Sequence, residues 1–204
     1  LMEESAKYRI RYLTLIKEKG SKKELIIAYT NLGGIWIAKG DYVKAGEHFL
    51  KALGYLDPNS SDTSFLEEQA AIYNNLGIVY RENGEVTKAA DACVNGITIA
   101  RLKPELQLEL IRLLNNYGDL LMNSNNFTGS QTALNEALDL SLRSGNKTMQ
   151  AATLYNLSNL SEKKKKGDSA LQFAINAYAL AKDLNQPDLI RGTAERLQEV
   201  YEKN

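Results

Sequence analysis

One cysteine, one histidine, one tryptophan and three prolines stand among 204 residues, and 25 basic residues balance 25 acidic ones to leave no net charge. A lone cysteine cannot close an internal disulfide, and with a single histidine it cannot supply the three or four ligands of a Cys/His zinc site. The charge balance removes the basic excess that draws a non-specific binder onto a polyanion, so no nucleic-acid partner is expected. No apolar run approaches the roughly 20 residues that span a bilayer, so direct membrane insertion is not expected either. The opening Leu1-Met2-Glu3-Glu4-Ser5 has neither the basic nor the apolar region of a signal peptide. A cytoplasmic setting is the expectation, with an extracytoplasmic sensor segment as the open alternative, because Leu1 is not a natural start.

Chemistry-bearing motifs are equally scarce. There is no Gly-rich phosphate loop, no paired-His helix and no nucleophile elbow, so neither an enzyme nor a cofactor is expected. His48 lies beside Phe49 with no Ser or Cys motif nearby, and Cys93 takes the place of Phe49 in its own segment, the position of a small core residue. The Lys163 to Lys166 run falls at a helix end, where cations complement the dipole and solvate readily.

What is present is a repeat. One motif occurs four times: Tyr29-Thr30-Asn31-Leu32-Gly33, Tyr73-Asn74-Asn75-Leu76-Gly77, Leu114-Asn115-Asn116-Tyr117-Gly118 and Leu154-Tyr155-Asn156-Leu157-Ser158, spaced 44, 41 and 40 residues apart. Twelve residues after each Gly or Ser comes a small residue (Ala45, Ala89, Ser130, Ala170), and seven further on another (Ala52, Gly96, Ala137, Ala177). Such residues let helices approach closely. The apolar spacing is helical on both sides of each break, as in Ala28, Leu32, Ile35 and Trp36, then Ala45, Phe49, Ala52 and Leu53. Breaks at Lys39-Gly40-Asp41, Asn83-Gly84-Glu85, Ser124-Asn125-Asn126 and Lys166-Gly167-Asp168 divide each unit into a helical pair, with Gly or Asn suited to a left-handed helix end. The fourth break lies two residues late, which predicts a longer first helix there. With 44% hydrophobic residues, an all-α fold of stacked pairs can fill its core.

The pattern resembles the tetratricopeptide repeat: an aromatic, Leu-Gly, a second aromatic, a Gly-Asp-Tyr-like turn and two alanines. The fullest copy is Tyr29, Leu32-Gly33, Trp36, Gly40-Asp41-Tyr42, Ala45, Phe49 and Ala52-Leu53; the third copy departs at Asn125 and Ser130, the fourth at Ser158. Units near 40 residues are similar to those of kinesin light chains and of bacterial regulators and sensors. The resemblance implies a right-handed α-solenoid of antiparallel helix pairs, about ten helices in one domain over 1–204. Repeats are expected at 23–57, 65–102, 105–143 and 148–184, preceded by a second helix over 5–19 and followed by a first helix over 188–204. Both flanking pieces are half-repeats, so a fragment of a longer protein is the expectation, with self-association through uncapped ends as the alternative.

In such a stack the first helices line one surface able to hold a peptide or partner segment. The residue before the Leu-Gly position is Asn in every unit: Asn31, Asn75, Asn116 and Asn156. Members of the family use an Asn here to bind peptide backbone, which the resemblance carries to these four positions. The same asparagines could instead hydrogen-bond between neighbouring helices and fix their stacking. Neighbouring positions on the same face add Ile27, Gly34, Ala71 and Ile78 in the first half, and Arg112, Asp119 and Asn159 in the second. The candidate groove is therefore apolar first and polar after. Ile27, Thr30, Gly34 and Ala71 lack the cations of the family's carboxylate clamp, so capture of a C-terminal carboxylate is not expected. A protein-interaction module of a regulatory or signalling protein is the functional expectation, and a structural spacer or self-association scaffold its alternative.

Overall fold

A computed structural model of the chain describes residue 11 and residues 20–56, 63 and 65–203. The expected second helix over 5–19, residue 11 apart, and the terminal Asn204 lie outside them. The described residues form nine α-helices: α1 Lys22–Ala38, α2 Tyr42–Gly54, α3 Leu66–Glu82, α4 Val86–Ala100, α5 Gln107–Asn123, α6 Phe127–Arg143, α7 Lys147–Lys163, α8 Gly167–Asp183 and α9 Pro187–Lys203. A short 3-10 turn, Pro104–Leu106, precedes α5, and no strand occurs among the described residues.

Helix starts follow the local chemistry. Ser21 and Glu24 form a capping box at α1: the Glu24 amide donates to Ser21 Oγ at 3.3 Å and the Ser21 amide to Glu24 Oε2 at 2.7 Å. Asp41, Asn126 and Asn146 each accept from the backbone amide three residues on, at 3.1, 3.0 and 3.0 Å. Between first and second helices, Gly40, Gly84 and Asn125 take the left-handed conformation with φ of 74, 75 and 61°.

The fourth pair corrects the expectation of a longer first helix. Lys165, with φ of 57°, holds the left-handed position seven residues after Ser158, as Gly40 does after Gly33, and Gly167 is the first residue of α8. The helix α7 is 17 residues, as are α1, α3 and α5. A non-glycine there costs on the order of 1 kcal/mol, which the pairing of α7 with α8 outweighs.

The chain divides into two compact units, Leu1–Glu109 and Leu110–Asn204. In the first, α1 packs on α2, α3 on α4, and α3 also meets α2 and α1. Its core holds Ile26, Leu32, Phe49, Ile72, Leu76 and Val79. In the second, α7 packs on α8 and α6, and α9 packs on α8 with a further contact to α7. Met122, Leu134, Leu157 and Leu160 form one core cluster there and Ala170, Ala174 and Val200 another.

The repeated Gly is where paired helices touch. A Cβ on Gly33 would lie 2.6 Å from the Phe49 ring, one on Gly77 2.9 Å from Cys93 Sγ, and one on Gly118 2.7 Å from Leu134. The facing residue is always sixteen positions on, and the fourth pair has Ser158 with Ala174 at that register. The side chain enlarges on one helix as it shrinks on the other. Ser158 then uses its hydroxyl, donating to the Ala170 carbonyl of α8 at 2.8 Å.

Candidate functional site

The candidate residues sit at fixed steps along the first helices, on the side turned away from the paired second helix. In the first unit Asn31 and Ile27 of α1 are exposed, while Asn75, Ile78 and Ala71 of α3 are half-buried. The helices α1 and α3 enclose a cleft of about 270 Å³ lined by Ile27, Thr30, Asn31, Glu67, Glu68 and Ala71. Lys23 Nζ reaches Glu68 Oε1 at 3.4 Å from α1 to α3. Within the cleft Thr30 Oγ1 is buried without a hydrogen-bond partner. The site therefore combines an apolar floor, an amide at its edge and carboxylates at one end.

In the second unit Arg112 is exposed and Asn116, Asp119, Asn156 and Asn159 are half-buried. Asp119 Oδ1 accepts from Asn123 Nδ2 at 3.2 Å, and Asn123 Oδ1 accepts from Lys163 Nζ at 3.2 Å, linking α5 to α7 along this face. Asn156 is also engaged: its Nδ2 donates to Asn115 Oδ1 at 3.2 Å. Asn115, only 7% exposed, in turn donates to Thr153 Oγ1 at 2.9 Å and to the Ile111 carbonyl at 3.0 Å. A polar pin thus joins α5 and α7 at the level of the Asn row.

Sequence inspection missed the fifth member of that row. The 40-residue step from Asn156 leads to Arg196, which is 4% exposed. Arg196 Nε donates to Ser158 Oγ at 3.0 Å, Nη2 to the Ser158 carbonyl at 3.0 Å, and Nη1 to Glu162 Oε2 at 2.6 Å. Continuing the repeat spacing one step further would have found the position, though not what an arginine does there. Asn115 was visible in the third motif copy, where adjacent asparagines gave no sign of which one faces a neighbouring helix.

The acid/base groups outside this face are quiet. Burial, with a smaller push from Lys51, holds His48 below its ordinary pKa, and its ring lies 6.1 Å from that of Tyr29. Burial pushes the Cys93 thiol up to about 11, which leaves it a core residue rather than a nucleophile. Among the described residues no group of three His, Cys, Asp or Glu is placed to hold a metal, and no helix is long and apolar enough to cross a membrane.

Residues 111–143, most of α5 and all of α6, match the family model of the tetratricopeptide repeat. The matched pair is the one with Asn125 and Ser130: Asn125 adopts the left-handed turn as glycine would, and Ser130 is fully buried as alanine would be. No curated protein sequence matches the chain. Among solved structures, BtubC (BKLC) from P. vanneervenii is similar at 20% identity, over 98% of this chain and 83% of that one, with a TM-score of 0.81. The Rap conjugation gene regulator of plasmid pLS20, in complex with the Phr* peptide, is similar at 21% identity over 86% of this chain, with a TM-score of 0.71. A Rap protein complexed with Competence and Sporulation Factor is similar at 16% identity over 94%, also with a TM-score of 0.71. This chain spans 47% and 56% of those two proteins. The third helix pair thus matches the tetratricopeptide repeat, and the chain as a whole has the fold of the solved structures it resembles.

Proposed function

We propose that this chain is a protein-interaction module whose first-helix faces bind an extended peptide or partner segment, within a regulatory or signalling protein. The observation that carries the proposal is the α1/α3 cleft, where exposed Asn31 borders Ile27 and Ala71. A carboxamide offers a donor and an acceptor together, matching the alternating N–H and C=O groups of an extended chain without reading its side chains. Asn75 stands at the same register on α3, and Asn116 and Asn156 on the first helices of the second unit. Small or apolar ligand side chains suit Ile27, Ala71 and Ile78, and polar ones suit Arg112, Asp119 and Asn159. The Rap structures, with their peptide and factor, support a peptide-binding use of this fold. The role requires no catalytic group.

The test is capture from lysate of the source cells with wild type and with an Asn75→Ala/Asn116→Ala variant, followed by calorimetric titration of the captured segment. Each lost hydrogen bond is worth about 1 kcal/mol, so the variant binds on the order of tenfold more weakly or worse while melting near the wild-type temperature. Equal binding by both proteins would sink the proposal. The Asn156–Asn115 bond favours a second reading, in which the asparagines fix helix stacking and the chain is a spacer or self-association scaffold. Large melting losses with undiminished capture would select it.

A further inference from the structure

Two matching ladders border the α1/α3 cleft. At four-residue steps α1 presents Lys23, Ile27 and Asn31, and at the same repeat register α3 presents Glu67, Ala71 and Asn75. Each ladder runs from a charge through an apolar residue to an amide. The two charges at the foot do not pair with each other, because Lys23 Nζ lies 3.4 Å from Glu68 Oε1 instead. Glu67 is exposed, and its carboxylate has no ion-pair partner among the described residues. Two further lysines near this end are held elsewhere: Lys22 Nζ lies 5.5 Å over the Phe65 ring, and Lys103 Nζ donates to the Thr63 carbonyl at 3.3 Å. Neither lines the cleft, whose charged lining residues, among the described residues, are Glu67 and Glu68. With Lys23 on Glu68, one uncompensated carboxylate remains at the end of the cleft. In the second unit the first-helix acids Asp119 and Glu162 are both engaged, Asp119 with Asn123 at 3.2 Å and Glu162 with Arg196 at 2.6 Å.

Beside Glu67 the cleft is apolar: Ile27 is 41% exposed and Ala71 half-buried, and both belong to its wall. A group that fits is apolar along its length and cationic at its tip. Lysine and arginine are built this way, with a methylene stem that lies on apolar surface while the charged head reaches a carboxylate. An aliphatic side chain would leave the carboxylate without a partner, and a short polar one would leave Ile27 uncovered. Asn31 and Asn75 stand about two helical turns from the acidic end, so main chain held at these amides needs a long side chain to reach Glu67. We propose that the α1/α3 cleft seats a lysine or arginine side chain of the bound segment, its stem on Ile27 and Ala71 and its charge on Glu67. This inference rests on the peptide-binding reading above and adds the chemistry by which that site selects its ligand, since the asparagines grip main chain without regard to side chains.

Selection from a phage-displayed library of random short peptides on the full chain tests this. Peptides retained by wild type are expected to share one position rich in lysine and arginine, and those retained by Glu67→Gln to lose that bias while still binding. For a selected peptide in synthetic form, replacing its basic residue by norleucine should weaken calorimetric binding on the order of fivefold to tenfold, and so should Glu67→Gln. Both changes together should cost little more than either alone. Glu67→Lys should favour an acidic residue at the same position. Glu67 is exposed, so these variants are expected to melt near the wild-type temperature, which separates a lost contact from a lost fold. Retained peptides with no basic position, a basic bias that persists in Glu67→Gln, or losses that add independently would overturn the inference and leave the binding reading standing. A library that yields no peptide to wild type would sink the binding reading and the inference with it. Raising the salt should narrow the gap between wild type and Glu67→Gln, and a gap indifferent to salt would count against the ion pair.

Discussion

Arg196 clasps Ser158 from the neighbouring helix, donating from Nε to its hydroxyl and from Nη2 to its carbonyl, each at 3.0 Å. The same hydroxyl donates to Ala170 at 2.8 Å, so α7, α8 and α9 meet at one serine. A guanidinium serves three acceptors at once because its donors are fixed in a planar fork. Arg196→Ala removes buried, charge-assisted hydrogen bonds and should cost about 2–3 kcal/mol in urea denaturation. Arg196→Lys should recover little of it, since one ammonium cannot span Ser158 and Glu162 together. A lysine variant as stable as wild type would refute the bridging role.

Acid should weaken the same junction. Hydrogen bonds first from Lys203 and then from Arg196 hold Glu162 below its ordinary value of 4.5. The folded-state value lies under the unfolded one, so the stabilisation is complete above about pH 4.5 and is lost as pH falls through the lowered folded value. Thermal melts from neutral to strongly acidic pH should show an acid limb for wild type that is shallower in Glu162→Gln. Parallel limbs would show that Glu162 does not contribute.

Adjacent glycines in α1 should answer the same substitution with opposite signs. A methyl on Gly33 meets the Phe49 ring at 2.6 Å, whereas one on Gly34 meets nothing within 4 Å. Gly33→Ala is expected to destabilise by about 1–3 kcal/mol through overpacking. Gly34→Ala should stabilise by about 0.5–1 kcal/mol, because alanine loses less backbone freedom in a helix. Chemical denaturation of both variants checks the register of the α1/α2 contact.

Ser130 is fully buried and its hydroxyl has no hydrogen-bond partner. Alanine stands at this register in the other three pairs, as Ala45, Ala89 and Ala170. Ser130→Ala removes an unsatisfied buried group and should raise stability by about 1 kcal/mol, read as a higher urea midpoint with unchanged slope. A fall in the midpoint would mean that the hydroxyl is satisfied after all.

Helix pairing was legible in the sequence because it depends on short-range spacing: Gly33 and Phe49 are sixteen residues apart, and so are Gly118 and Leu134. The repeat register, which puts Cys93 at the place of Phe49, also told a small buried residue from a reactive thiol. The turn at Lys165 was misjudged for a local reason. A glycine was present two residues on, yet the pairing of α7 with α8 placed a lysine in the left-handed position.

The repeat spacing by itself determined that the helices come in pairs and that Asn recurs at one register on four first helices. Only the tertiary structure decided which polar atoms meet. Asn156 finds Asn115 across 41 residues, Arg196 finds Ser158 across 38, and Asn31 borders an open cleft. A periodic pattern specifies the face a residue occupies, but a hydrogen bond forms or fails within a few tenths of an ångström. That distance is set by how two packed helices rotate and slide against each other, which the side chains of both must settle together.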